Sequence, residues 1–189
     1  MALDIKVFQL IHGLSGISGI VDFFGVFLAE YLPYLMGVAL LFFVFKREGT
    51  RNKLMAFFSI IFTALVSYSV LTALVDFFFP RERPSASLNI TPLIAANGTS
   101  FPSAHAAFFF AVSFVLLSIS KKWGVWFLFL STVMGIARIF VGVHYPSDIV
   151  GGVVIGFVTF LIYKFLFHSR HESIISDEIP GENLERTEG

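Results

Sequence analysis

The chain has 189 residues, of which 56% are hydrophobic and 14% are charged, and its formal net charge is zero. Soluble domains carry about 25% charged residues, so this composition and a mean hydropathy of +0.83 predict an integral membrane protein. The balanced charge gives no indication of a nucleic-acid partner, and the absence of cysteine excludes disulfides, thiol catalysis and thiolate metal sites.

Hydrophobic runs divide the chain into a short amphipathic start and five long apolar segments. Val7, Leu10 and Ile11 recur at helical spacing, which predicts a short helix lying in the membrane interface. A spanning helix needs about 20 mostly apolar residues, and runs of this kind cover approximately residues 20–45, 54–79, 103–120, 123–143 and 147–167. We therefore expect an all-α integral membrane protein with a bundle of five to six transmembrane helices.

The first apolar run is long and contains a proline. Pro33 is expected to kink this helix, because proline removes a backbone donor from the helix interior. The alternative is an interfacial helix near Asp22, followed by a shorter span that begins after Pro33.

Lysine and arginine collect at one end of the predicted bundle. The loops after the first and third runs contain six of these residues: Lys46, Arg47, Arg51, Lys53, Lys121 and Lys122. Basic loops face the cytoplasm, so the opposite helix ends are predicted to face the outside of the cell membrane. Residues 1–167 then form one membrane-embedded domain. Residues 168–189 form an acidic cytoplasmic tail that we expect to be disordered.

Polar side chains gather at four helix ends on the predicted outer side. They are Arg81 and Arg83 after the second run, Ser103 and His105 at the start of the third, Arg138 near the end of the fourth with His144 after it, and Asp148 at the start of the fifth. Because these ends lie at the same membrane face, we expect the side chains to form one site.

The residue types at this face suit an anionic phosphate group. Guanidinium forks match phosphate oxygens, and the start of a helix offers unpaired N–H groups at the positive end of its dipole. An imidazole can act as nucleophile or as proton donor. Asp148 follows His144 by four residues, so its carboxylate can reach one ring nitrogen and select the tautomer.

Each residue also has a simpler interpretation when it is considered alone. Arg83 would be a solvated or headgroup-binding arginine, Arg138 a snorkelling arginine, and Ser103 a helix cap. His105 would be an interfacial histidine, and His144 would make a structural hydrogen bond to its neighbouring carboxylate. The convergence at one face favours a functional site over five independent structural roles.

Three short motifs resemble the signatures of the type 2 phosphatidic acid phosphatase superfamily. They are Arg83-Pro84, the stretch from Pro102 to His105, and the spacing from Arg138 through His144 to Asp148. The short chain with "FLAEY" near residue 30 is most similar to the bacterial undecaprenyl-diphosphate phosphatases of that superfamily. The resemblance implies hydrolysis of a phosphate ester or anhydride through a phosphohistidine, without metal or other cofactor.

The resemblance also implies a role for each residue. His144 would be the nucleophile, Asp148 would orient it, and His105 would be the general acid. The phosphate would be held by Arg83, Arg138 and Ser103.

This sequence departs from the usual motifs at three positions. Asp76 stands where the first motif has lysine, and we expect Arg81 to supply the missing positive charge to the phosphate. Ala104 replaces the usual glycine and keeps a backbone N–H for the phosphate. Ala137 replaces the serine that begins the third motif.

The expected function is a membrane lipid phosphatase that acts on the terminal phosphate of an isoprenoid diphosphate, such as undecaprenyl diphosphate, at the outer face. The alternatives are a phosphatidate or phosphatidylglycerophosphate phosphatase, a lipid-to-lipid phosphotransferase, and an inactive lipid-binding homologue.

Glu30 lies in an apolar run, where a charge is costly unless it is paired. We expect it to face the site entrance and contact Arg81 or Arg83, whereas the alternative is that it marks the membrane surface.

Overall fold

The computed structural model describes residues 2–177, with side chains as far as Phe167, and contains helices but no strand in that range. The helices are α1 Ala2–His12, α2 Gly19–Phe45, α3 Thr50–Phe78, α4 Pro84–Ser87, α5 Ala104–Ile119, α6 Lys121–Phe140 and α7 Pro146–Asp177. By length and composition α2, α3, α6 and the apolar part of α7 can cross a membrane, and α5 is a shorter apolar helix. The predicted all-α bundle with a short N-terminal helix is confirmed.

The last helix continues beyond the apolar run that defined it in the sequence. Its backbone extends past Phe167 to Asp177. The predicted tail therefore begins within α7, and its residues 178–189 lie outside the described part of the chain.

Helix α2 remains continuous through the region of Pro33 but changes its hydrogen-bond pattern there. Phe27–Tyr31 form a π-helical segment, and the α-helical pattern resumes from Leu32. Proline has no N–H, so the carbonyl of Ala29, four residues earlier, lacks its usual α-helical donor. Where the sequence predicted a kink, the structure has a local π segment within one long helix, and the alternative of a separate interfacial helix near Asp22 is wrong.

Helix α5 lies at the centre of the bundle, between α6 and α7. Its contact with α7 is close because Gly152 and Gly156 of α7 face Ala107 and Ala111 of α5. A Cβ atom added at Gly156 would lie 2.7 Å from the backbone nitrogen of Ala111. Small residues of this kind allow two membrane helices to approach at backbone distance.

The close packing of α5 and α7 also joins the two helix starts. The backbone N–H of Ser103 donates to the carbonyl of Asp148 at 3.0 Å. The first turns of α5 and α7 therefore begin side by side, at the end of the bundle opposite the lysine- and arginine-containing loops.

Candidate active site

His144 lies in the short turn between α6 and α7 and is almost completely buried. Its Nδ1 atom is 2.9 Å from the carbonyl oxygen of Ser100. A carbonyl can only accept a hydrogen bond, so Nδ1 carries the hydrogen and Nε2 carries the free lone pair. That lone pair accepts a long hydrogen bond from Nη1 of Arg83 at 3.5 Å.

Asp148 supports this arrangement from the first turn of α7, where its side chain is fully buried. Its Oδ1 accepts from Nη1 of Arg81 at 2.8 Å, and its Oδ2 accepts from the backbone N–H of Tyr145 at 2.7 Å and from the hydroxyl of Ser100. The distance from Oδ2 to Nδ1 of His144 is 3.5 Å. Asp148 lies beside the imidazole, as its spacing indicated, but the shorter bond that selects the tautomer comes from Ser100.

Ser100 is a site residue that the sequence did not reveal. Its hydroxyl donates to Asp148, and its carbonyl accepts from His144. It lies outside the three motifs, and a single serine in a loop has no distinguishing spacing. The carbonyl, moreover, is a group that every residue possesses.

The pKa of His144 is lowered to about 4, chiefly because burial disfavours the charged imidazolium. The guanidinium groups of Arg138 and Arg83 lower this pKa further, whereas the carboxylate of Asp148 acts in the opposite direction. The imidazole is therefore neutral near pH 7, which leaves Nε2 available as a nucleophile or base.

Arg83 is held in place by three backbone carbonyls. Its Nη1 donates to Val143 at 2.9 Å, its Nη2 to Asn97 at 3.0 Å and its Nε to Gly98 at 3.2 Å. Burial lowers the pKa of Arg83, and the carboxylates of Asp148 and Asp76 oppose that effect. The result is a fixed guanidinium beside the free nitrogen of His144.

Arg138 is buried near the end of α6, with only 8% of its surface exposed. Its Nη1 donates at 3.3 Å to the carbonyl of Ala29, whose usual α-helical donor would be the N–H that Pro33 lacks. Its Nε has no partner among the described residues. A buried arginine with an unused donor is well suited to bind an anion.

A cavity of about 560 Å³ lies beside Arg138 and His105. Its walls come from α2, α3, α5, α6 and the loop before α5: Ala29, Glu30, Pro33, Tyr34, Ala64, Leu65, Tyr68, Ser69, Ile94, Ala95, His105, Phe108, Phe109 and Arg138. The wall is mostly apolar, with a few polar groups near the ends of α5 and α6. This combination suits a ligand that has a charged head and an apolar chain.

Glu30 faces this cavity, as expected, but its predicted partner was wrong. No ion pair of 4.0 Å or less joins it to Arg81 or Arg83 in the described structure. Arg138 is the arginine that shares the cavity with Glu30.

Arg81 has a different environment from the one expected for a phosphate ligand. Its Nη1 donates to Asp148 at 2.8 Å and to the Ser147 hydroxyl at 2.6 Å, while its Nη2 donates to Asp4 at 2.7 Å. The guanidinium also lies 3.9 Å from the ring centroid of Tyr145. Both terminal nitrogens are thus occupied by protein groups, and this geometry does not support the expected replacement of the missing lysine.

The start of α5 retains two backbone donors. The Ser103 hydroxyl accepts from the N–H of Ala106 at 3.5 Å, and the Ser103 carbonyl accepts from Ala107 at 2.9 Å. The hydroxyl of Ser103 therefore caps the helix, and the amides of Ala104 and His105 are the first-turn donors without a partner in the described structure. Asp76, near the end of α3, has a buried Oδ1 without a partner among the described residues.

The amino-acid sequence is similar to one protein family and to several bacterial membrane proteins. A sequence profile described as the PAP2 superfamily matches residues 53–172. The bacitracin transport permease protein BcrC of Bacillus licheniformis is 33% identical over 161 residues, which cover 84% of this chain and 78% of that protein. The undecaprenyl-diphosphatase BcrC of Bacillus subtilis is 28% identical over 167 residues, or 86% of this chain and 84% of that protein.

A solved structure shares the fold over most of the described helices. The crystal structure of Aquifex aeolicus LpxE superposes with a TM-score of 0.68 and 27% sequence identity. The alignment covers 86% of this chain and 95% of that one.

Proposed function

The chain belongs to the PAP2 superfamily, a group of membrane phosphatases, and from this membership we propose that it removes the terminal phosphate of an isoprenoid diphosphate. The observation that carries the reaction is the neutral, buried imidazole of His144, whose unprotonated Nε2 lies 3.5 Å from the fixed guanidinium of Arg83. A nucleophile beside an anion-binding group is the arrangement that phosphoryl transfer needs.

In the proposed first step, Nε2 of His144 attacks the terminal phosphorus. The bond from that phosphorus to the bridging oxygen breaks, and His105 gives a proton to the departing lipid monophosphate. Water then attacks the phosphohistidine and returns a proton to His105, and inorganic phosphate leaves with His144 restored. Asp148 and Ser100 hold the tautomer of His144 throughout.

Arg83, Arg138 and the amides of Ala104 and His105 are the proposed phosphate ligands. Each carries an N–H donor near the start of α5 or beside His144. Donors aimed at a phosphoryl group stabilise the charge that develops on its oxygens during transfer. Ser103 contributes by capping α5, which leaves the next two amides free for the phosphate.

The lipid chain of the substrate would occupy the apolar part of the cavity. Tyr34, Leu65 and Phe108 line it between α2, α3 and α5. Undecaprenyl diphosphate is the substrate we propose, because the relative named undecaprenyl-diphosphatase aligns with 86% of this chain. The basic loops lie at the opposite end of the bundle, so the proposed site faces the extracytoplasmic side of the cell membrane.

A substrate panel tests this proposal directly. Purified protein would be given undecaprenyl diphosphate, farnesyl diphosphate, phosphatidate and phosphatidylglycerophosphate, and phosphate release would be measured with the His144→Ala variant as the blank. We expect the highest kcat/KM with undecaprenyl diphosphate. Faster turnover of either glycerolipid would contradict the substrate assignment, and lipid-to-lipid transfer would appear as a phosphorylated acceptor lipid instead of free phosphate.

The same assay tests whether the reaction needs a metal ion. The proposed phosphate ligands are guanidinium and amide groups, so we expect phosphate release to continue in EDTA. Complete loss in EDTA, with recovery on addition of a divalent cation, would contradict the proposed mechanism.

A further inference from the structure

Helix α1 forms hydrogen bonds with the proposed site through the carboxylate of Asp4. Asp4 Oδ2 accepts from Arg81 Nη2 at 2.7 Å and from the Ser147 hydroxyl at 2.6 Å. Its Oδ1 accepts from the backbone N–H of Ser147 at 2.9 Å. Asp4 therefore caps the first turn of α7 from a position 143 residues away, where a negative charge complements the helix dipole.

Arg81 connects this carboxylate to the one beside His144. Its Nη2 is bound to Asp4 and its Nη1 to Asp148, so one planar guanidinium bridges both groups. The side chain of Asp148 is fully buried, that of Asp4 is 12% exposed and that of Arg81 24% exposed. Partly dehydrated charge pairs of this kind have fixed geometry.

We propose that Asp4 is a positioning residue for the reaction, which acts through Arg81 to hold Asp148, Ser100 and the imidazole of His144 in register. This inference rests on the proposed role of His144 as nucleophile. None of the three motifs lies in α1. Asp4 would therefore extend the working site to a helix that precedes all of them in the sequence.

The charge of Asp4 matters as well as its hydrogen bonds. Arg81 lies between two carboxylates, and loss of the Asp4 charge would leave the guanidinium paired with Asp148 alone. The Nη2 atom would then be available to other acceptors. Any rotation of the guanidinium toward them would also move Nη1, which binds Oδ1 of Asp148. Because Asp148 binds the Ser100 hydroxyl, this movement reaches the carbonyl that holds the Nδ1 hydrogen of His144.

Other contacts keep α1 docked when Asp4 is changed. Phe8 is 1% exposed and packs with Ile139 and Tyr145. His12 Nδ1 is 2.8 Å from the carbonyl oxygen of Phe140. A substitution at Asp4 therefore alters the link to Arg81 while the helix keeps its apolar and C-terminal anchors.

The experiment compares Asp4→Asn, Asp4→Glu and the control Asp22→Asn in full-length protein. Asp22 also accepts a backbone hydrogen bond, from Gly16 at 2.9 Å, but in the described structure it forms no hydrogen bond or ion pair with Arg81. At metal sites, mutation of the groups that hydrogen-bond a functional histidine lowers affinity or activity by about 10- to 100-fold. By analogy, we expect Asp4→Asn to lower kcat by about 10-fold. Asp4→Glu should recover part of that loss, and Asp22→Asn should leave kcat unchanged.

A spectroscopic readout separates positioning from a general structural role. The ¹⁵N imidazole spectrum of histidine-labelled protein, assigned with His144→Ala, reports which ring nitrogen carries the hydrogen. We expect the Nδ1–H tautomer of His144 in the wild type, and a mixture of both tautomers in Asp4→Asn. In an Arg81→Gln background, Asp4→Asn should cause no further loss of kcat, since the connection has already been removed.

Three results would overturn the inference: an unchanged kcat in Asp4→Asn, an unchanged His144 tautomer in that variant, or additive losses with Arg81→Gln. If the wild type hydrolysed none of the lipids in the panel, the proposed function would fail by itself. The tautomer of His144 would then still decide whether Asp4 positions it.

Discussion

Pro33 offers a test in which stability and activity should change in opposite directions. In Pro33→Ala the backbone at position 33 regains an N–H, whose α-helical acceptor is the carbonyl of Ala29 four residues earlier. Arg138 Nη1 donates to that carbonyl at 3.3 Å and is 8% exposed, with Nε already unpartnered in the described structure. The new helical bond would compete with the bond that orients Arg138.

The expected magnitudes follow from these contacts. Proline in a helix interior costs about 3 kcal/mol relative to alanine, so the variant should unfold at a higher temperature. A hydrogen bond from a charged donor contributes about 1.5–3 kcal/mol, and each 1.4 kcal/mol is about tenfold in an equilibrium constant. Loss of the oriented arginine should therefore lower kcat/KM by up to about 10- to 100-fold.

The assay is phosphate release in detergent micelles, measured together with thermal unfolding. A second variant pair, Arg138→Lys with and without Pro33→Ala, serves as the control. If Pro33 acts through Arg138, its substitution should have no further effect on kcat/KM when the guanidinium is absent. An unchanged kcat/KM in Pro33→Ala would show that the Ala29 carbonyl does not orient Arg138.

Three further predictions concern the two histidines, the pH dependence and the helix contact. His144→Ala should abolish turnover and any trapped phosphoenzyme. His105→Ala should slow alkyl monophosphates more than diphosphates, because a phosphate monoester is the less basic leaving group and general acid catalysis contributes about 10²- to 10⁴-fold; equal rate ratios would show that His105 only binds phosphate. Because folding lowers the pKa of His144 from 6.5 to about 4, its contribution to stability is complete above pH 6.5 and is lost as the pH falls through about 4. The acid limb of kcat/KM should also lie near pH 4, and a limb near 6.5 would contradict the burial of His144. Gly156→Leu should destabilise the bundle by about 1–3 kcal/mol, since its Cβ would lie 2.7 Å from the backbone nitrogen of Ala111, whereas a Cβ at Gly37 on α2 would have no atom within 4 Å, which makes Gly37→Leu the control. Equal melting temperatures of these two variants would exclude a close contact between α5 and α7.

The helices and the face on which the polar residues meet could be predicted from sequence, because both depend on local composition. An apolar run of about 20 residues has few alternatives to a membrane helix. Because successive spanning helices alternate in direction, the end of one run and the start of the next lie at the same membrane face. For this reason the sequence alone predicts that Arg83, His105, Arg138 and His144 lie at one end of the bundle.

The contacts that orient those residues depended on the tertiary structure. Arg138 is held by the carbonyl of Ala29 and His144 by the carbonyl of Ser100. Backbone carbonyls are present in every residue, so the sequence carries no sign of which one will be used.

The binding partners of Arg81, a charged side chain, likewise could not be predicted from the sequence. Its proximity to Arg83 in the sequence indicated a phosphate ligand, whereas the fold brings Asp4 and Asp148 to its two terminal nitrogens. An arginine binds whichever carboxylate or phosphate is nearest in the correct orientation. Local sequence predicted that a cation would be present at this face, but the packing of α1 against α6 and α7 determined which anions it binds.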